Sequence, residues 1–284
     1  MKHGMHSLIA LFACGLATVS FAPAALAQEQ KPAAGQIIAK RPTFETVSAE
    51  QPAEHPLLPV LRWAQAGLTN IRNIKDYQCT FIKRERIDGK LGEHEYYFCK
   101  VRHNPLSIYL YFLAPESVKG QEVIYVKGEN NNKLVAQPNG FKGRAIGTVE
   151  LATDGMFAMQ GNRYPITELG ILNLTERLIA SGSQDTKYGE CEVKFFKGTK
   201  INGRPCTCIQ AVHPVPRRNF IYHIARVFID DELVIPIRYA AWSWPKTPGG
   251  EPVLEEEYTY LNLKINNNFT DADFDRNNPA YHFH

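Results

Sequence analysis

The spacing of apolar residues changes from a helical to a strand period early in the chain. From residue 57 to 71, apolar side chains recur every three or four residues, which predicts one amphipathic helix opened by Pro56. From Tyr77 the period becomes two, and turn residues separate runs rich in β-branched and aromatic side chains. This pattern predicts five antiparallel strands: Tyr77–Ile87, Leu91–Arg102, Leu106–Leu113, Gln121–Lys127 and Lys133–Gln137.

A second helix and a second set of strands follow a glycine-rich stretch. The helix is predicted from Pro165 to Ser181, with Gly182 as its stop. Asn202-Gly203 is a strong hairpin signal within the β region that follows. Five more strands are predicted there: Cys191–Thr199, Pro205–His213, Phe220–Asp230, Leu233–Trp242 and Leu254–Ile265.

The order of these elements predicts the fold class. One helix before each set of five strands excludes a parallel fold, in which helices and strands would alternate singly. Strand 106–113 is apolar on both sides, so we expect both faces of the sheet to be covered there. We predict a mainly β (α+β) protein: a large, curved, open antiparallel half-barrel with two or more helices on its concave face.

The N-terminal segment predicts export. Lys2, an apolar run from Leu8 to Phe21 and then Ala25-Leu26-Ala27 are typical of a signal peptide, so residues 1–27 are expected to be removed. The apolar run is shorter than the roughly 20 residues of a membrane-spanning helix. A lipoprotein cleavage box at Cys14 is the alternative, although the apolar stretch continues beyond it. We therefore expect a soluble protein in the periplasm or outside the cell.

The remaining chain divides into two parts. Residues 28–56 are rich in Pro and Ala, which predicts a flexible linker, and residues 57–284 are long enough for a single β-rich domain. The chain carries 32 Lys and Arg against 29 Asp and Glu, and the two signs alternate along most segments. A nucleic-acid-binding protein needs a concentrated basic face, so nucleic acid is excluded as a partner.

The predicted register brings two cysteines together. If the Asp88-Gly89 hairpin closes with Ile87 opposite Leu91, Cys79 faces Cys99. Opposed strand positions suit a disulfide, and an exported protein meets oxidising conditions. We predict a Cys79–Cys99 disulfide, with two adjacent reduced thiols as the alternative. The other cysteines of the domain are expected to be buried, inert thiols or to have no predicted role: Cys191, Cys206 and Cys208.

Motifs for catalysis and metal binding are weak. His213, His223 and Cys208 share one β region, but isolated histidines on sheets are usually structural, and we predict neither catalysis nor a cofactor. Asp271 to Asn277 alternates oxygen-bearing side chains as calcium loops do. Arg276 stands where such loops need glycine, so a turn capped by Asx hydrogen bonds is expected instead of a metal site.

Aromatic residues provide the strongest functional signal. Most of those on predicted strands are expected to be core. A curved sheet that two helices fill only partly would leave an apolar groove, and Tyr109, Tyr111 and Trp242 are our candidate ligand-binding residues in it.

Four segments resemble a bacterial family of exported proteins known only as a domain of unknown function, and the resemblance spans Leu57 to Phe283. The helix-then-meander order and the stretch from Tyr109 to Val126 also resemble the lipoprotein carriers of the LolA and LolB type. That second resemblance implies an open half-barrel that binds acyl chains without chemistry. The four segments are Val101–Leu110, Lys119–Val126, Gly161–Glu168 and Asp271–Tyr281.

Together these features predict a non-enzymatic cell-envelope protein that binds a lipid, a lipoprotein or another hydrophobic ligand in an apolar concave groove. The alternative is an envelope interaction or structural module with a filled core and no small ligand. An enzyme is the third possibility.

Overall fold

A computed structural model describes residues 54–283, apart from the side chains of residues 142 and 144. The predicted signal peptide, Cys14 and nearly all of the predicted linker lie outside the described residues, so those predictions stay predictions. The described part contains four α-helices: α1 Leu57–Asn73, α2 Gly140–Ile146, α3 Met156–Met159 and α4 Ile171–Asp185. Its strands are β1 Asp76–Ile87, β2 Lys90–Leu91, β3 Glu95–Arg102, β4 Ser107–Ala114, β5 Glu122–Val126, β6 Lys133–Gln137, β7 Val149–Ala152, β8 Glu192–Ile201, β9 Arg204–Val212, β10 Ile224–Asp230, β11 Pro236–Ser243 and β12 Val253–Ile265.

All strands join one antiparallel sheet of 12 strands. Its order is β7-β6-β5-β4-β3-β1-β12-β11-β10-β9-β8, with β2 paired to the end of β1. The two meanders therefore meet where β1 pairs with β12, near the middle of the sheet. Because β7 and β8 form opposite ends of this order, the sheet is open, which confirms the predicted fold class.

The turn of the first hairpin is one residue shorter than predicted, but β1 and β3 pair in the predicted register. Asp88 and Gly89 both have positive φ, as a two-residue hairpin turn requires, and Ile87 pairs with Lys90 instead of Leu91. Between β2 and the start of β3 the pairing with β1 shifts by one residue, which restores the predicted register. Beyond that point Cys79 faces Cys99, as predicted.

The two long helices lie on one face of the sheet, which we call the helix face. Helix α4 begins at Ile171, six residues later than predicted, because Gly170 has a φ of 118° and the preceding residues form a 3₁₀ turn. The helix also continues through Gly182. A Cβ atom there would lie 3.0 Å from Leu61 Cδ2 of α1, so this glycine allows close contact between the helices and is not a stop.

The opposite face is covered by the C-terminal segment 266–283, and we call it the tail face. Asp76 anchors this segment by accepting hydrogen bonds from the backbone N–H groups of Asn267 and Phe269. The Tyr281 ring then stacks on Tyr109 with ring centroids 4.0 Å apart. Cover on both faces explains why strand β4 is apolar on both sides.

The acidic stretch near the C-terminus forms the predicted capped turn. Asp275 accepts the backbone N–H of Asn277 at 2.8 Å, and Asp273 closes a capping box with Thr270. Asp273 also forms an ion pair with Lys100 at 2.9 Å. The carboxylates of this stretch therefore hold the tail against the sheet.

None of the helices in the described part of the chain is both long and apolar enough to cross a membrane.

Candidate ligand-binding site

The helix face contains a partly open apolar cavity, which we call cavity 1. It lies between α1, α4 and strands β9 to β11, and its volume is about 140 Å³. Its wall combines side chains of both helices with those of the sheet. Representative members are Leu57, Leu61, Leu178, Ile209, Val227 and Tyr239.

Small residues in the wall account for the space. Ala64 and Gly67 line the cavity from α1, and Ala211 and Ala225 line it from the sheet. Larger apolar side chains at these four positions would fill much of the volume. The amphipathic stripe of α1 predicted the helix correctly, but the cavity depends on small residues being placed opposite one another across the fold.

One part of the cavity wall is polar, and it is formed by His213 and Asp185. The His213 ring is buried and stacks on Phe220 with centroids 4.0 Å apart. His213 Nδ1 lies 3.1 Å from the carbonyl oxygen of Tyr222, so Nδ1 carries the ring proton and donates a hydrogen bond to that oxygen. Nε2 has no hydrogen-bond partner among the described residues, and it lies 3.6 Å from Asp185 Oδ2.

Burial disfavours the charged form of both groups. It lowers the pKa of His213 and raises the pKa of Asp185 to about 6. Burial, followed by the nearby Asp185 carboxylate, also raises the pKa of Cys191 to about 11. The histidine and the carboxyl group therefore do not form a stable ion pair near neutral pH, despite their short separation.

A second cavity, cavity 2, lies on the other side of α4. It has a volume of about 130 Å³, and strands β1, β3 to β6 and β12 form its floor. Residues 158–170 and α4 cover it, with Leu174 and Arg177 on the α4 side. Helix α4 thus separates two spaces on the same face of the sheet, and cavity 1 has the more apolar wall.

A buried group of charged residues borders cavity 2. Lys83 Nζ lies 3.2 Å from Glu95 and 3.6 Å from Glu85, and it donates to Asn162 Oδ1 at 2.5 Å. The Tyr258 hydroxyl donates to Glu85 at 2.5 Å. Sequence reasoning missed this group, although Lys83 and Glu85 alternate with the core residue Phe81, and charges at core-facing positions are a usable signal.

The segment Gly161–Glu168 is held in place by the same charges. Arg163 forms an ion pair with the buried Glu256 at 3.2 Å, and its backbone N–H donates to Glu85 at 3.0 Å. The Tyr222 hydroxyl donates to Glu256 at 2.9 Å. This explains structurally one of the four segments that carry the family resemblance: it fastens the cover of cavity 2 to the sheet.

The three predicted ligand-binding residues lie on the tail face and line neither cavity. Tyr109 is buried under Tyr281, and Tyr111 packs with the same cluster. Trp242 stacks with the Arg226 guanidinium at 5.1 Å, on the face opposite Ala241. Their predicted place beside the helices is wrong, because the alternation of β4 and β11 points their side chains the other way. Their role in binding stays a prediction that this geometry does not support.

The predicted cysteine pair has the expected neighbours but no bond in this structure. Cys79 and Cys99 face each other, and both are buried as free thiols. Burial, with the adjacent Cys99, raises the pKa of the Cys79 thiol. The disulfide stays a prediction. Cavity 1 contains His213 in its wall but neither His223 nor Cys208, so these three do not meet at one site.

The fold and its cavities define an open antiparallel β-sheet protein whose helix face contains apolar space. The chain belongs to the family described as "Protein of unknown function (DUF1571)", whose model matches residues 74–283. The predicted membership of a family of unknown function is thereby confirmed. Among curated proteins, none matches the chain.

Several solved structures are similar. The Mycobacterium tuberculosis lipoprotein LppX is 14% identical over 75% of this chain and 97% of that chain, with a TM-score of 0.42. A putative outer membrane lipoprotein-sorting protein domain from Vibrio parahaemolyticus is 11% identical over 76% and 96%, with a TM-score of 0.38. A LolA superfamily protein from Nitrosomonas europaea is 11% identical over 75% and 97%, with a TM-score of 0.30.

Proposed function

We propose that this protein binds a hydrophobic ligand, the acyl chain of a lipid or of a lipid-modified protein, in cavity 1. The observation that carries the proposal is the cavity itself: about 140 Å³ of space with a largely apolar wall, bounded by two helices and the sheet. Ligand sites in proteins are typically apolar concavities with a few placed polar groups, and His213 and Asp185 provide such groups here.

The volume sets what can enter without rearrangement. An apolar cavity of about 150 Å³ in another protein stays dry and takes up benzene. Cavity 1 therefore accepts a short segment of an acyl chain as it stands. Cavity 2 lies across α4 from cavity 1: Arg177 lines cavity 2 on one side of the helix and Ile179 lines cavity 1 on the other. We expect a longer chain to displace α4 and occupy both spaces.

The proposed setting is outside the cytoplasm, and the proposed activity is binding without chemistry. The N-terminal signal-peptide pattern supports export. The polar groups that border the cavities mainly contact one another, as in the ion pair between Arg163 and Glu256. These groups stabilise the cover of cavity 2, which is consistent with a binding protein.

Binding can be tested with two matched variants on one helix. Ala64 lines cavity 1, whereas Ala66 is exposed on the other side of α1. Delipidated protein is titrated with a fluorescent long-chain alcohol. Ala64→Phe should weaken binding about tenfold by filling the cavity, and Ala66→Phe should bind like the wild type. Equal binding by both variants, or no binding by the wild type, would contradict the proposal.

The second candidate function is an interaction module without a small ligand. It is favoured by the size of cavity 1, which is smaller than the roughly 300–1,000 Å³ of common ligand pockets. Exposed apolar side chains near strand β7, among them Phe141, Met156 and Phe157, also suit protein contact. In this case Ala64→Phe should raise the melting temperature by filling empty space, and the fluorescent alcohol should not bind.

A further inference from the structure

The polar part of cavity 1 presents two hydrogen-bond acceptors to the same space. His213 Nδ1–H donates a hydrogen bond to the carbonyl oxygen of Tyr222, so the neutral ring has only a lone pair at Nε2. That nitrogen is buried and has no partner among the described residues. The carboxyl oxygen of Asp185 lies 3.6 Å away. A donor placed between them could reach both atoms.

Asp185 occupies a position that does not favour its own charge. It is the last residue of α4, where the unpaired carbonyl groups of the helix disfavour a carboxylate. Its side chain is only 13% exposed, and His213 is its one ion-pair neighbour in the described part of the chain. Because a carboxylate at this position does not stabilise the fold, ligand binding is the better explanation for its presence.

We propose that His213 and Asp185 bind a hydrogen-bond-donating head group, a primary amine or a hydroxyl, at one end of the chain that fills cavity 1. The inference rests on the proposed function and names the ligand class of that site. A carboxylate head is excluded because it would bring a third acceptor, and a second negative charge, against two acceptors that already face each other. An ammonium group fits best, since it carries three donors and no acceptor.

The test compares three amphiphiles with the same chain: decylamine, decanol and decanoate. Each competes near neutral pH with a fluorescent long-chain alcohol on wild-type protein, on Asp185→Asn and on Glu176→Gln. Glu176 is the matched control, because it lies on the same helix, lines neither cavity and pairs with Arg72 at 2.8 Å. Melting curves of all three proteins establish that each is folded.

We expect decylamine and decanol to bind the wild type more tightly than decanoate. Asp185→Asn should weaken decylamine binding about tenfold, the loss of one charge-assisted hydrogen bond, and should strengthen decanoate binding, while Glu176→Gln should change neither. A larger loss for decylamine than for decanol identifies the amine as the preferred head group.

Two results would overturn the inference, and they are distinguishable. If all three amphiphiles bind equally and Asp185→Asn changes nothing, or if decanoate binds best, the head-group assignment is wrong while the proposed function stands. If neither the probe nor any amphiphile binds the wild type, the proposed function fails and the inference fails with it.

Discussion

Replacing Asp185 by asparagine should make the protein more stable near neutral pH. Burial raises the pKa of this carboxyl from its ordinary 3.8 to about 6. One pKa unit corresponds to about 1.4 kcal/mol, so at neutral pH the native state loses about 3 kcal/mol by holding the charged side chain. The side chain is 13% exposed, so little of this is offset by solvent. Asparagine has nearly the same shape and no charge.

The sign of the pH dependence follows from the direction of the shift. A raised native pKa means that the protonated carboxyl contributes stability that is fully present below the unfolded value of 3.8 and is lost as pH rises through about 6. The advantage of Asp185→Asn should therefore be largest at about pH 7.5 and fall to about half at about pH 5. Urea unfolding of both proteins at these two pH values measures it.

Glu168→Gln is the control, because its half-exposed ion pair with Arg177 should be worth about 1 kcal/mol or less. The reasoning is refuted if Asp185→Asn is less stable than the wild type, or if the difference between them does not depend on pH.

Two further predictions concern the tail face and the paired cysteines. Tyr109→Ala should lower the free energy of unfolding by about 3–5 kcal/mol, because the ring is buried under Tyr281, and it should leave the affinity for the fluorescent alcohol unchanged in the folded fraction. Weakened binding at unchanged stability would place the ligand on the tail face instead. In protein recovered after export, non-reducing peptide mapping should find Cys79 joined to Cys99, whose strand positions face each other. Two free thiols there, or a bond to another cysteine, would contradict this.

Local signals predicted the strands and their pairing well. The Asp88-Gly89 turn and the alternation of the flanking strands were sufficient to place Cys79 opposite Cys99, because a hairpin has few possible registers. The period of α1 likewise marked its extent. These features depend on residues that are close in the sequence.

Which face of each strand meets the helices could not be predicted locally. In β4 both Tyr109 and Leu110 are apolar, so alternation divides the side chains into two sets without saying which set faces α4. The outcome depends on the segment 266–283, which covers one face with aromatic residues from the far end of the chain. For the same reason the three aromatic candidates were assigned to the wrong face.

The cavities and their polar groups depend on contacts between distant segments. Arg163 and Glu256 are far apart in the sequence, and neither residue signals the other. Gly182 suggested a helix stop, but the space it leaves is needed by Leu61 of another helix. A sequence pattern shows a small residue or a charge, and only the packed structure shows what lies against it.

Photo-crosslinking can show whether a hydrophobic chain occupies cavity 1. A long-chain alcohol with a diazirine on its chain is bound to the delipidated protein and irradiated, and its adducts are mapped by peptide mass spectrometry. We expect adducts on residues that line cavity 1, such as Leu57, Leu178 and Val227. Adducts confined to the tail face at Tyr111 or Trp242, or labelling that excess unlabelled alcohol does not suppress, would contradict binding in cavity 1.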